Sequence, residues 1–285
     1  MKIKVLNNLI LTVLALYVAV PLSAQGTVST RKYRFSDFPD KVTQVVLTEN
    51  EVLSSALRQE VVGGWTVSPF EFCTLEQFEQ RKTSADYYFL MMAETRFKGE
   101  ETPGILSLTL VKGGPEAAEG IGAMDEIISL PLCAAEGGSG RELVFLGTLV
   151  QALQEFTQAA LQSERNAYQK EDWFNSRYNR QAKILQMLMA REDLADPSAV
   201  ERFMDEDCHV VDAAEADQAY LDGRYNTLVS YSVSPLVPQL DASYSWQMLF
   251  EATSHQLYYI EKHKITPKKA EGFLPEDLKR LARKR

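Results

Sequence analysis

Residues 42–65 read VTQVVLTENEVLSSALRQEVVGGW. The first six, Val42 to Leu47, are a β-branched run of the length of a buried strand. Thr48 and Glu51 follow at capping-box spacing, where a threonine hydroxyl accepts from an orphan helix amide and the glutamate reaches back. Val52, Leu53, Ala56, Leu57 and Val61 then fall on one helical face, and Gly63-Gly64 supplies a stop. A strand passing directly into a helix is the unit from which layered α/β folds are built.

The same grammar continues outward. TVSPFEFC is extended, with Pro69 favouring an edge or strand end. Thr74 and Gln77 repeat the capping-box spacing and open a short helix through Phe78. Asp86 to Phe97 forms a long strand, turned by KGEETPG into ILSLTLV. There, Leu106, Leu108 and Leu110 alternate with Ser107 and Thr109, as on a half-buried antiparallel strand. The glycine-rich stretch to residue 140 reads as loop with a short element near Ile127.

Ser139 and Glu142 form a third cap pair. The segment behind them carries Leu146, Leu149, Val150, Leu153, Phe156 and Ala160 at helical spacing. After the polar, aromatic link KEDWFNSRYNRQ the first pattern returns. AKILQMLMA and CHVVDA suit strands, Asp196-Pro197 and Asp212 suit helix starts, and Gly223 ends the second helix. TLVSYSVS is a further strand, and YSWQMLFEATSHQLYYIEKHKI is a hairpin turning near Ser254-His255.

The expected fold is therefore α/β (α+β). Two similar strand-helix-strand-helix-strand-strand halves with mixed sheets, residues 26–135 and 183–285, are joined by a long bridging helix and link over 136–182. Laying Val45–Phe72 over Leu188–Glu215 puts Trp65-Thr66-Val67 on Cys208-His209-Val210, a match of pattern rather than of letters.

Residues 1–25 have the layout of an export signal: Lys2 and Lys4, an apolar run from Leu9 to Val20, and a small-residue exit at Ser23-Ala24-Gln25. The run is too short to span a bilayer core, which takes about 20 residues. The expectation is an exported protein without a transmembrane anchor, in the periplasm or outside a Gram-negative cell. A net charge of −9 argues against general nucleic-acid binding. Residues 261–285 invert that balance, with nine Lys/Arg against four Asp/Glu.

Few residues suggest chemistry. Cys73, Cys133 and Cys208 are too far apart for a CxxC motif and read as buried thiols ahead of a disulfide. Cys208 and His209 are strand neighbours facing opposite sides, so they do not pair as nucleophile and base. The loop EGGSGRE lacks the Gly-Lys-Ser/Thr ending of a phosphate loop, and Asp205-Glu206-Asp207 lacks calcium-loop spacing. No catalytic residue, metal or cofactor is called for.

The best candidate surface is the hairpin's second strand and the turn behind it: Tyr258, Glu261, Lys262, His263, Lys264, Lys268 and Lys269. Strict alternation puts Leu257, Tyr259, Glu261 and His263 on one face, and Tyr258, Ile260, Lys262 and Lys264 on the other. Aromatic and basic groups together suit an acidic protein, a glycan or an anionic membrane surface. In FLPEDLKRLARKR, Pro275 opens a helix, the acids sit at its positive end and the bases at its negative end, and Leu274, Leu278 and Leu281 form a docking stripe.

The order within 42–111, with NEVLSSALRQEV, WTVSPFEF and TSADYYFLMMAETRFKGE, resembles the amino-terminal domain of the TolB translocation family and the α/β domains of curli-secretion lipoproteins. That resemblance implies helices on a mixed sheet and protein contacts in the envelope, not catalysis. The closing segment, SWQMLFEATSHQLYYIEKHKI with GFLPEDLKRLARK, is similar to uncharacterised secreted proteins of Gram-negative envelopes. The functional expectation is a non-enzymatic interaction or scaffold protein with an envelope protein partner. The alternative is a secreted hydrolase or glycan-binding protein whose site is assembled from distant residues.

Overall fold

The computed structural model describes residues 23–24, 35–169, 171–182 and 185–285. Apart from Ser23–Ala24, the segment read as an export signal lies outside the described residues. Within that segment, Ser23–Ala24 (β1) is a two-residue strand beside Glu94 and Thr95 of the first half. It is followed by Val42–Leu47 (β2), Glu51–Gly64 (α1), Phe70–Thr74 (β3), Leu75–Arg81 (α2), Tyr87–Thr95 (β4), Ile105–Lys112 (β5) and Asp125–Ala134 (β6). Arg141–Gln162 (α3), Glu164–Gln169 (α4) and Glu171–Gln181 (α5) form the bridge. The second half comprises Gln186–Ala190 (β7), Ser198–Phe203 (α6), Cys208–Val211 (β8), Ala213–Leu221 (α7), Thr227–Val233 (β9), Tyr244–Glu251 (β10), Gln256–Lys264 (β11) and Pro275–Ala282 (α8).

Both sheets follow one plan. The first runs β3-β2-β4-β5-β6, with β1 beside β4, and the second runs β8-β7-β9-β10-β11. In each, the first three strands of the half pair in parallel and the last two add antiparallel. Helix α3 lies between the sheets. Val45, Leu90 and Leu108 of the first, Leu149, Leu153 and Phe156 of α3, and Tyr231, Trp246 and Phe250 of the second belong to one buried cluster. The halves share that core, so they stand as one cooperative body. Outer faces are closed separately: Phe78 of α2 covers Val46, Cys73 and Met91, while Leu278 and Leu281 of α8 cover Met187, Met189 and Tyr259. Among the described residues no helix is long and apolar enough to cross a membrane.

Most element starts obey local chemistry. Thr74 accepts from the Gln77 amide while the Gln77 side chain accepts from the Thr74 amide, a complete capping box. Asp212 caps α7 through the Glu215 amide. The hairpin turns where expected, with His255 at φ +50°.

Several expectations are corrected. Beyond the two-residue β1, the first sheet has five strands like the second, because residues 125–134, read mainly as loop, form β6. Asn50, not Thr48, caps α1. Thr48 instead exchanges backbone hydrogen bonds with the Ser54 hydroxyl. Val52 points to solvent while Leu53, Leu57 and Val61 are buried. Strand β5 is buried on both faces: Ser107 bonds Thr95 and Thr109 bonds Ser129, each at 2.7 Å, and Val111 packs with Ala117, Ile121 and Met124. The link KEDWFNSRYNRQ is largely the helix α5, which buries Phe174, Asn175 and Tyr178. Finally, Trp65–Val67 lies outside the strands; the counterpart of Cys208–Val211 is Phe70–Thr74, because β3 and β8 occupy the same place beside β2 and β7.

Candidate functional site

β11 is an edge strand, and a bulge between Leu249 and Phe250 of its partner breaks strict alternation. Leu249 pairs with Tyr259 but Phe250 pairs with Leu257, leaving Tyr258 as the extra residue. Leu257 therefore joins the inner cluster with Ile260, and Tyr258 and Tyr259 both join the outer one. Tyr258 is buried and donates from its hydroxyl to Gln181 of α5 at 2.8 Å, so it offers no open aromatic platform.

The remaining candidates divide between the two faces. Toward α8, the ring of His263 donates from Nε2 to the Ala270 carbonyl at 2.7 Å, while its Nδ1 is buried without a partner among the described residues. Glu261 lies 3.9 Å from Arg280 Nη1, and burial pushes its carboxyl above the ordinary range while Arg280 pulls it back. On the opposite face the ammonium of Lys262 stands 4.5 Å from the Trp246 ring and 3.8 Å from Glu171. Lys264 stands 5.7 Å from the Tyr244 ring. Lys268 and Lys269 occupy the tight turn that follows, in which the Thr266 and Lys269 backbones exchange hydrogen bonds. Lys269 pairs with Glu276 at 3.4 Å.

A groove of about 440 Å³ runs between β11 and α8 and brings together Glu261, Lys262, His263 and Lys269 with Glu276, Lys279 and Arg280. Its acids are paired, Arg280 bonding Asp277 at 2.6 Å and Lys269 meeting Glu276 at 3.4 Å, while the Lys279 ammonium stands over the Phe203 ring at 4.5 Å and leaves the lining with more bases than acids. Lys264, Lys268 and Tyr258 are outside it.

The strongest polar constellation is buried and structural. Arg141, at the start of α3, forks onto Asp217 through Nε and Nη2, reaches Asp193 through Nη1 at 3.1 Å, and donates to the Ser230 carbonyl. Asp193 also accepts from the hydroxyls of Ser230 and Ser232. Every group in the set has a partner, which fits a fastener between α3 and the second half rather than a reactive centre.

Elsewhere, Glu142 folds back to accept from the Gly140 amide at 2.9 Å, filling the position where a phosphate loop would offer that donor. All three cysteines are free and buried. Among the described residues no group of three or more His, Cys, Asp or Glu is placed to hold a metal. The three histidines are dispersed: His209 is exposed on β8, His255 packs edge-on against Tyr220, and His263 lies at the far sheet edge.

One feature was not anticipated from the sequence. The connection from β9 to β10, SPLVPQLDAS, holds Leu236, Val237 and Leu240 at 64%, 76% and 59% exposure. It is firmly seated: the Gln239 side chain accepts from the Glu101 amide at 2.6 Å and donates to the Thr102 carbonyl, and the Asp241 amide donates to the Ile265 carbonyl. Its sequence signal is three aliphatic residues around two prolines with no strand or helix period.

Compared with family models, with curated proteins and with solved structures, the chain matches none.

Proposed function

We propose that this chain is an exported, non-enzymatic interaction protein of a Gram-negative cell envelope, a two-half α/β scaffold that presents the 235–240 loop to a partner. The observation that carries this reading is the loop's construction. Its polar residues, Gln239 and Asp241, hold it to the first half and to the end of β11, leaving the aliphatic residues outside. A surface loop that spends its hydrogen bonds on anchoring and exposes apolar side chains is built for contact. The groove beside α8 favours the hydrolase and glycan-binding alternatives less, because its acids are engaged by Arg280 and Lys269 and Tyr258 is covered.

Photo-cross-linking tests the reading. Benzoylphenylalanine placed at Val237 in intact cells is expected to give a discrete adduct, and the same probe at the exposed Glu206 is not. Adduct formation no greater at Val237 than at Glu206 would overturn it.

A further inference from the structure

We propose that the edge of β4 beyond Leu90 is a strand-accepting site, filled before processing by the exit of the chain's own export segment and afterwards by an extended peptide of a partner chain; this rests on the reading of the chain as exported. On one side β4 is paired by β5 from Tyr88 to Thr95. On the other, β2 accompanies it only as far as Leu90, opposite Val45, and its last residues pair with β3 alone. Met91 to Thr95 thus keep one side open within the sheet. Among the described residues its occupant is β1, which runs parallel with Ser23 opposite Glu94 and Ala24 opposite Thr95. The place calls for such an occupant. Met91, Met92, Ala93 and Thr95 are buried, and the Thr95 hydroxyl is committed to Ser107 at 2.7 Å. Unpaired N–H and C=O groups on a buried strand are costly, and an added strand satisfies them. Cleavage after Ala24 or Gln25 takes β1 away and uncovers a short sheet edge, the template on which extended peptides pair.

The remainder of the chain is badly placed to refill the site. Phe35 lies near the other end of β4: its carbonyl accepts from the Phe38 amide, and the Phe38 ring packs on Tyr88 at 4.9 Å. From Tyr88 to Thr95 the strand covers about 23 Å at ~3.3 Å per residue. After cleavage at the earlier bond, Gln25 and Gly26 would have to take the two paired positions, leaving residues 27–34 to reverse direction and return. That stretch reaches ~27 Å fully extended, and a reversal consumes about four residues of it. A segment from another chain meets no such limit. Its chemistry follows from the site: an extended backbone parallel to β4, with small residues such as the serine and alanine that the chain itself puts there, and affinity carried by main-chain hydrogen bonds.

The test uses the protein recovered from the envelope of its producing cells, its amino terminus read by intact mass, with a labelled peptide of residues 20–27, VPLSAQGT, as the probe. Fluorescence anisotropy is expected to show binding to the processed protein, and hydrogen exchange within residues 91–95 is expected to slow when the peptide is present. The same peptide N-methylated at Ser23 and Ala24 should bind at least about tenfold more weakly, because the backbone donors of the pairing are gone. The full chain 1–285, kept unprocessed, should not bind, because Ser23–Ala24 already hold the place. No binding by the processed protein, equal binding of the N-methylated peptide, or equal binding by the full chain overturns the proposal. A mass that retains residues 1–25 overturns the exported reading and, with it, the vacated site. A start at Gln25 or Gly26 without peptide binding leaves the exported reading standing and removes the site alone.

Discussion

The side-chain amide of Asn175 pairs with both backbone groups of Ile260: Nδ2 donates to the carbonyl at 3.1 Å and Oδ1 accepts from the amide at 2.8 Å. A residue on α5 thus does for β11 what a neighbouring strand would do, and Arg177 adds a bond to the Leu257 carbonyl at 3.0 Å. An open edge is a template for pairing with another chain, so the contact both stabilises and protects. Asn175→Ala strands a buried N–H and a buried C=O, and each such orphan costs about 1–3 kcal/mol. Chemical denaturation should show a loss of at least about 2 kcal/mol, and light scattering should show greater self-association. A loss below about 0.5 kcal/mol would mean that water replaces the amide without difficulty.

Arg141 is held by Asp193 and Asp217, and the three charges lie on α3, on the segment after β7 and on α7. Removing only the cation leaves two acids facing each other in a largely dry site. Arg141→Met should cost about 3–5 kcal/mol, the range for breaking a buried pair from one side. Adding Asp193→Asn and Asp217→Asn to that variant should recover part of the loss, since no uncompensated charge remains. Strict additivity of the three changes in denaturation midpoints would disprove the coupling.

The contrast between these two contacts explains what the letters could and could not convey. Caps such as Thr74–Gln77 and the turn at His255 depend on residues three or four apart, so they were legible directly. Helix α5 was not, because its buried Phe174, Asn175 and Tyr178 sit among charged neighbours and Asn175 acts only through a strand 85 residues away. Ser107 and Thr109 suggested a solvent face, yet cross-strand hydroxyl bonds let them lie in a dry layer. β6 was obscured by the glycine-rich lead-in before it and by Pro131 within it. At the candidate surface, the alternation that separates Glu261 and His263 from Lys262 and Lys264 was readable, but the bulge that turns Tyr258 into the outer cluster was not. The 235–240 loop was missed because three aliphatic letters ordinarily mean burial.

The cysteines give a third test. Burial pushes the Cys73 thiol up to about 11 and those of Cys133 and Cys208 up to about 12. The thiolate is the reactive form, and the sulfurs are also shielded. An aromatic disulfide reagent at pH 8 should therefore label none of the three within minutes in the native protein and all three on unfolding. Rapid native labelling of even one would show that local opening exposes it.

Glu261 supplies a dependence on pH. Burial is the main influence on its carboxyl and raises its pKa; Arg280 opposes that, while Glu171, Asp277 and Asp172 reinforce it. For a carboxyl whose folded value is raised, the folded state holds its proton more tightly than the unfolded state. The associated stability is complete below the unfolded value of about 4.3 and is lost as pH rises through the folded value. Glu261→Gln removes this loss. Asp277 continues to hold Arg280 at 2.6 Å in the variant, so no cation is abandoned. The variant should match the parent in thermal midpoint at about pH 4 and exceed it at about pH 8. A lower midpoint for the variant at the higher pH would show that the Arg280 and Asn175 contacts of Glu261 outweigh its burial.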